Sequence, residues 1–486
     1  MKLKHTLLLS ALALCGTMQA QDIYKAETFS GSDLTGTARF VGMGGAMSAL
    51  GADMSAMSNN PAAIGLYRRS DVAMTASVLG QSEAYKLADV NKARASFDQA
   101  GFVYAAKLNG SAVKFVNLGF NYQKRRNLKE VIGLGPTRLN EGMSQSWQML
   151  DLSYYDGWLD LSNDNDREYT TLLTGVGYDP QMLAPIYDDQ GKLTGYEPSY
   201  ADSYKYRRAR WGGIQQYDFN LSLNINDRVY GGITVGVYNV DIHSLTGYQE
   251  TLRLGDEVSA MPYQMYNEEA ITGAGVDVKF GIIFRPIEDS PFRIGFSFST
   301  PTFYDLTQSS YLQMQSPYAY TDMGRYPNNY DWDYDWGDYN VSSHKDRALC
   351  EEIDRCMKPV STFRIGAEAR LAKGVYARAG YNFVSAPFEK DAYLNLFTNT
   401  PSYYSPSYYY STNTDYVNLG NTHRATLGLG YKGKHFYADV AYQIQTQEAD
   451  VYAFHIPEGP SERNRLQGQR IDLKRHHAML TVGYKF

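Results

Sequence analysis

The feature that most limits what this chain can become is a hydrophobic alternation of period two, recurring in segments of about ten residues along most of its length. In the final segment Leu480, Val482, Tyr484 and Phe486 fall on one side, and Thr481, Gly483 and Lys485 on the other. Val116, Leu118, Phe120 and Tyr122 alternate in the same way with Asn117, Gly119 and Asn121. So do Tyr217, Phe219, Leu221, Leu223 and Ile225 with Asp218, Asn220, Ser222 and Asn224. Further segments run over 276–284, 292–298, 363–371 and 436–444, and less regular ones lie near 71–80, 100–107, 229–239, 374–384 and 421–432, twelve in all. Successive side chains of a strand point to opposite faces, so each segment becomes a strand with one apolar face. About ten residues is also the length that crosses a bilayer as a tilted strand.

The connections carry the second half of the pattern. Short links fall at Leu108 to Ser111, Asn226-Asp227, Pro286 to Ser290, Ala372-Lys373 and Gly433-Lys434, and they alternate with long ones that include 124–214, 300–359 and 385–420. A soluble sandwich accounts for the period but gives no reason for strict alternation of link length. An up-and-down barrel in a membrane requires it, with tight turns at one end and extended loops at the other. The fold expected is therefore all-β: a transmembrane antiparallel up-and-down β-barrel of twelve directly legible strands. Mean hydropathy of -0.43 does not oppose this, because only every second wall residue faces lipid. No apolar run of about 18 residues follows the N-terminus, which excludes a bundle of membrane helices.

The first residues read as an export signal. Lys2 and Lys4 precede an apolar segment from Thr6 to Cys15, and Ala20 ends a short polar tail, so 1–20 is expected to be removed. Leu14 stands where a lipoprotein signal needs a small residue, which argues against a lipid anchor on Cys15. Cleavage leaves 44 basic against 52 acidic residues, a balance that argues against nucleic acid as a partner. It also leaves two cysteines, Cys350 and Cys356, and an exported chain with two close thiols is expected to join them in a short loop. No second cysteine pair or nearby histidine set completes a metal site. The loop Asp331 to Asp338 begins like a calcium loop, but Trp336 occupies the place where the turn needs glycine. No cofactor or metal is implied.

Residues 21–70 do not alternate. Val41 to Gly51 is rich in glycine and methionine and lacks the spacing of a nucleotide loop, since Met47 stands where the third glycine belongs. Pro61 pushes Asn60 away from helical geometry, so the chain turns sharply there. A compact plug is expected from this segment, followed by the barrel at 71–486.

The run from Thr37-Ala38-Arg39-Phe40 through the glycine-rich segment to Asn60-Pro61-Ala62, placed ahead of a barrel, resembles the FadL-like family of outer-membrane transporters for long-chain fatty acids and aromatic hydrocarbons. Asn224-Ile225-Asn226-Asp227 and Thr300-Pro301-Thr302 resemble further features of that family, and the tyrosine-rich loops look like its members from Bacteroidota. The terminal Tyr484 and Phe486 resemble the signal read by the barrel assembly machinery of Gram-negative bacteria. The resemblance implies fourteen strands, a hatch built on Asn60, Pro61 and Ala62, an outer-membrane location, a monomeric pore, and a hydrophobic small-molecule substrate captured by loops and released sideways into membrane lipid.

Such transport needs no covalent chemistry. The seven histidines left after cleavage are scattered, and no Gly-x-Ser-x-Gly elbow marks a nucleophile, so the chain is not expected to be an enzyme. A hydrolase barrel is the weaker alternative, and a general porin or surface adhesin is the stronger one, although neither has a use for the hatch. Candidate substrate contacts are Trp147, Leu150 and Trp158 in the long outer segment, with Met149, Leu152, Leu172, Leu173 and Val176 nearby. Strand parity turns Asp218, Asp277, Lys279, Arg293, Arg364, Glu368, Arg370, Arg378 and Asp439 inward. Buried charges need partners, so these are expected to pair and hold the hatch, with Arg364, Arg370 or Arg378 left as candidates for a fatty acid carboxylate.

Overall fold

The computed structural model describes residues 22–82, 93–109, 112–140, 143–155, 182–254, 257–258, 262–287, 290–315, 320–327, 347–394, 414–455 and 466–486. The expected signal, Trp158, Leu172, Leu173, Val176 and the Asp331 to Asp338 loop lie outside them.

Eighteen strands follow one another along the described chain: β1 Asp71–Gln81, β2 Ala93–Lys107, β3 Val113–Asn127, β4 Glu130–Arg138, β5 Leu183–Tyr187, β6 Leu193–Pro198, β7 Tyr200–Ile225, β8 Val229–Leu254, β9 Glu257–Val258, β10 Tyr263–Phe284, β11 Ile294–Ser299, β12 Phe303–Gln315, β13 Tyr320–Pro327, β14 Thr362–Ala372, β15 Val375–Val384, β16 Tyr416–Lys432, β17 Phe436–Tyr452 and β18 Gln469–Lys485. Sixteen of them form a single sheet, and β5 and β6 pair separately. Every strand pairing among the described residues is antiparallel, and each of the twelve segments read from the sequence falls on one of these strands.

The first strand pairs with the last, from Asp71 opposite Lys485 to Gln81 opposite Arg475, so the two ends of the wall are joined. The sheet's path then runs from β13 through β12, β10, β8, β7, β3, β2, β1, β18, β17, β16 and β15 to β14. Those thirteen positions lie between the twelve strands counted on the sequence and the fourteen the resemblance implies. Two crossings are interrupted rather than continuous. β3 and β4 both lie along β7, and β11 and β12 both lie along β10, with Thr300-Pro301-Thr302 between them. Pro301 has no N–H to give the ladder, which explains why the second break falls there.

The outward face is the apolar one. Phe219 is 53% exposed, Phe296 68%, Leu427 64% and Phe436 71%, and they belong to an apolar surface carried by strand after strand. A patch of that extent is far beyond what a soluble monomer leaves uncovered. The inward face is polar: Asn117, Asn121, Ser222, Asn224, Thr234 and Thr481 are fully buried. Asn226 and Asp227 both have positive φ, 50° and 57°, as a two-residue hairpin turn demands, and Asn224 Oδ1 accepts from the Asp227 N–H.

Two helices and two 3₁₀ turns occupy the space inside: α1 Ile23–Ser30, α2 Ala38–Gly42, Met54–Ser58 and Pro61–Leu66. The Pro61–Leu66 turn packs on β3, β7, β8 and β10, while α2 packs on β15 to β18. A sheet that touches opposite sides of one small segment is wrapped around it, which makes the wall a barrel and residues 22–70 its plug. Two more helices, α3 Gln145–Tyr155 and α4 Arg347–Cys356, lie in the connections.

The expected disulfide is not formed. Cys350 and Cys356 belong to the same helix, α4, and Cys356 is a buried free thiol. Six residues of α-helix separate two Cα atoms by about 9 Å, beyond the roughly 7 Å that a disulfide spans. The sequence reading took the segment for a loop and so missed this. Cys356 instead packs with Ile23, Ala26, Phe388 and Ala392, joining α1 to α4.

Candidate functional site: a plugged lumen with two chambers

The plug is held by reciprocal caps. Thr37 Oγ1 donates to Asp53 and accepts from the Phe40 N–H, while Ser55 Oγ accepts from the Thr37 N–H at 2.7 Å. Asp53 accepts in turn from the Ser55 N–H, so the starts of both turns are satisfied by one another. Asn60 caps the next turn by accepting from Ala62 N–H at 3.1 Å, with Pro61 at the first position, where its missing N–H costs nothing.

Inward polar side chains of the wall then grip the plug's backbone. Asn117 donates to the carbonyls of Ile64 and Tyr67, Asn220 and Ser222 donate to that of Pro61, and Thr426 donates to that of Gly42. Two side chains of β7 therefore reach the Asn60-Pro61-Ala62 motif, both at the Pro61 carbonyl. Gly281 and Gly232 allow this approach, since a Cβ at either would lie within 2.6 Å of Asn60 or Pro61 atoms.

The inward charges fall into two sets. Arg378 Nε donates to Glu368 at 2.6 Å and its Nη1 to Asp439 at 2.5 Å, and Glu368 also meets Arg39 of the plug at 3.2 Å. Burial alone would lower the pKa of Arg39, but Glu368 and Asp53 outweigh it and raise it. Lys279 pairs with Asp277 at 2.7 Å and Asp218 at 3.5 Å, within the wall. Arg293 donates to the Leu50 carbonyl of the plug at 2.9 Å. Arg370 is exposed and donates to the Ala372 carbonyl.

Two cavities lie between the plug and the wall. The larger, of about 590 Å³, is bounded by α1 and by Arg126, Arg208, Arg210, Arg364, Arg424 and Arg475 of the wall. Four of these arginines have carboxylate partners: Arg126 with Glu27, Arg208 with Glu130 and Asp415, Arg475 with Glu130, and Arg424 with Asp33 at a loose 3.7 Å. Arg210 reaches Thr28 Oγ1 at 3.1 Å. Arg364 has no carboxylate partner among the described residues, and its buried Nε, like that of the ion-paired Arg208, has no hydrogen-bond partner there. Lys25 of α1 meets Glu269 at 2.9 Å and Asp22 at 3.4 Å; burial would lower its pKa, and these carboxylates raise it instead. The smaller cavity, of about 380 Å³, adjoins the first across Phe29 to Leu34 and reaches Ser299 to Thr302 at the break between β11 and β12. Arg364 lines both.

At the end of the barrel that bears the long connections, the interior changes character. Met143, Met149, Met182, Met265 and Met314 pack there with Tyr204, Tyr206, Tyr248, Tyr263 and Phe454. The start of α3 enters this cluster, its first N–H groups facing the buried carboxylate of Glu250, which accepts from Gln145 N–H and from the hydroxyls of Ser144 and Tyr248.

The sequence-predicted contacts separate accordingly. Trp147 and Leu150 ride on α3 and pack around this outer cluster with Leu183, away from both cavities. Arg364 lines both cavities, whereas Arg378 lines neither and is held by two carboxylates. Tyr484 stacks on His435 and packs against Phe436 and Phe486, near the short turns. Of the arginines of the larger cavity, all but Arg364 were missed by sequence reading. Arg424 was within reach of it, because its parity with Thr422 and Thr426 turns it inward, opposite Leu427 and Leu429.

No known family's sequence profile matches the chain, and no curated protein sequence matches it. Among solved structures it is similar to a FadL homologue of Pseudomonas aeruginosa, with 12% identity, a TM-score of 0.40, and 94% of this chain and 99% of that chain covered. It is also similar to the Ralstonia pickettii toluene transporter TbuX, with 12% identity, a TM-score of 0.38, and 93% and 99% covered. The similarity to the Pseudomonas putida toluene transporter TodX is at 10% identity and a TM-score of 0.35, with 94% and 99% covered.

Proposed function

We propose that this chain is an outer-membrane barrel that takes up hydrophobic small molecules, long-chain fatty acids among them. The observation that carries the proposal is the methionine- and tyrosine-rich cluster inside the outer end of the lumen. A porin keeps that space polar and filled with water. Here an apolar solute meets unbranched, polarizable thioethers and tyrosine rings, which repack around different shapes. Below the cluster, the arginine-lined cavity suits a carboxylate head group, and Arg364 has an unsatisfied donor to offer one. The plug closes the direct way through, so passage requires capture first and movement past the hatch second. The apolar outer face supports the location, and the resemblance carried by the hatch motif supports the substrate class.

The test is equilibrium binding to the purified, folded chain of a fluorescent long-chain fatty acid. Oleate is expected to displace it, and a hydrophilic sugar is expected not to. Failure of oleate to bind contradicts the proposal.

A further inference from the structure

Charge is sorted differently at the two ends of the barrel. At the end that bears the short turns, Arg69, Lys107, Lys114, Lys373, Lys432 and Lys434 are exposed, and none has a carboxylate partner among the described residues. The acidic side chains described closest to those turns are already paired: Asp71 is buried against Lys485 at 3.2 Å, and Asp227 meets Arg68 at 2.6 Å. Glu288 and Asp289, in the link after β10, lie outside the described residues. At the opposite end exposed charges of both signs stand together, as Arg470 and Lys474 do beside Glu448 and Asp472 on β17 and β18.

The exposed cations follow one arc. Lys107 and Lys114 flank the turn from β2 to β3, Arg69 precedes β1, Lys432 and Lys434 flank the turn from β16 to β17, and Lys373 lies in the turn from β14 to β15. These strands belong to one unbroken run of the sheet, β3, β2, β1, β18, β17, β16, β15 and β14. Neighbouring strands lie about 4.8 Å apart, so the arc is roughly 34 Å long, an edge rather than a pocket. It borders the apolar outside of the wall directly. Tyr104, Leu371, Tyr431 and Phe436 are exposed there, each within three residues of one of the lysines. A lysine so placed lays its stem along apolar surface and keeps its ammonium in the polar layer above.

We propose that this arc is a binding surface for the headgroup phosphates of anionic phospholipids in the leaflet that meets the short turns. The proposal goes beyond the uptake reading and needs only that the apolar wall stands in a bilayer. A phospholipid whose acyl chains cover Leu371 or Phe436 brings its phosphate level with Lys373 or Lys434. A headgroup of net negative charge gains from cations that have no carboxylate beside them, and a zwitterionic headgroup gains little. An acidic protein fits the arc less well, because it would have to lie within the headgroup layer along a curved edge and displace the lipids that cover the apolar side chains next to each lysine.

The test uses the full chain in phosphatidylcholine vesicles that carry a trace of spin-labelled phospholipid, whose motion slows on contact with the wall. Labelled phosphatidylglycerol is expected to associate roughly fivefold more strongly than labelled phosphatidylcholine, and the preference is expected to fade in molar salt. A chain with Lys107→Gln, Lys114→Gln, Lys373→Gln, Lys432→Gln and Lys434→Gln should lose the preference while slowing phosphatidylcholine as before. Lys205→Gln, Arg207→Gln and Lys474→Gln together, at the other end, should keep it. At constant ionic strength, neither inorganic phosphate nor polyglutamate should remove it. Loss to inorganic phosphate makes the arc a free-anion site, and loss to polyglutamate makes it a site for an acidic partner; either overturns the lipid proposal. So does a preference that survives in the five-lysine variant or is missing from the unaltered chain. If the unaltered chain slows neither lipid, the wall does not stand in the bilayer and the proposal falls with it.

Discussion

Arg364 and Arg378 lie on neighbouring, paired strands and both turn inward, yet their surroundings assign them opposite roles. Arg378 has its charge matched on two sides by Glu368 and Asp439. Arg378→Met is expected to destabilise the folded barrel by about 3–5 kcal/mol, because Asp439 is left buried without a partner. Urea unfolding in detergent micelles measures it, and adding Asp439→Asn should recover much of the loss. Arg364 has a free donor over a cavity. Arg364→Gln should leave the unfolding midpoint nearly unchanged and weaken oleate binding by about 1.5–3 kcal/mol, roughly tenfold to a hundredfold in Kd. Methyl oleate, which carries no charge, should bind both forms alike; an equal loss for acid and ester contradicts the role.

Among the elements, the strands were legible and their partners in space were not. Alternation marks Val116 to Tyr122 or Val276 to Phe284 as strands because lipid rewards an apolar residue at every second place and the lumen rewards a polar one. That pressure fades beyond the membrane. The outer half of β7, from Tyr200 to Trp211, was therefore read as part of a long link, although it continues the same ladder with β8. The larger cavity was hidden for another reason. Arg126 meets Glu27 and Arg424 meets Asp33 only because the plug is folded back inside the wall, far from its neighbours in sequence. Pairing by charge parity did find Asp218, Asp277 and Lys279, because Asp277 and Lys279 share one face of β10 and Asp218 lies on β7, just beyond β8. The α4 helix was the clear error, and it carries its own test. Alkylation of the denatured, unreduced mature chain should modify both Cys350 and Cys356, with no change on prior reduction; protection of both until reduction contradicts the helix.

For the whole molecule, the uptake proposed above assigns the wall, the plug and the apolar outer lumen to one filter. On that reading the apolar outside of the wall suits a bilayer, the segment pinned through Pro61, Ile64 and Gly42 would close the straight path, and the cluster around Met149 and Tyr248 would favour solutes that water does not. The measurement that tests this most directly is entry of labelled oleate and of a small hydrophilic sugar into cells expressing the full chain or a chain lacking residues 35–70. The account predicts oleate entry without sugar entry for the full chain, and added leakage of sugar once the plug is gone. Sugar entry without oleate entry through the intact chain would contradict it and make the barrel a porin.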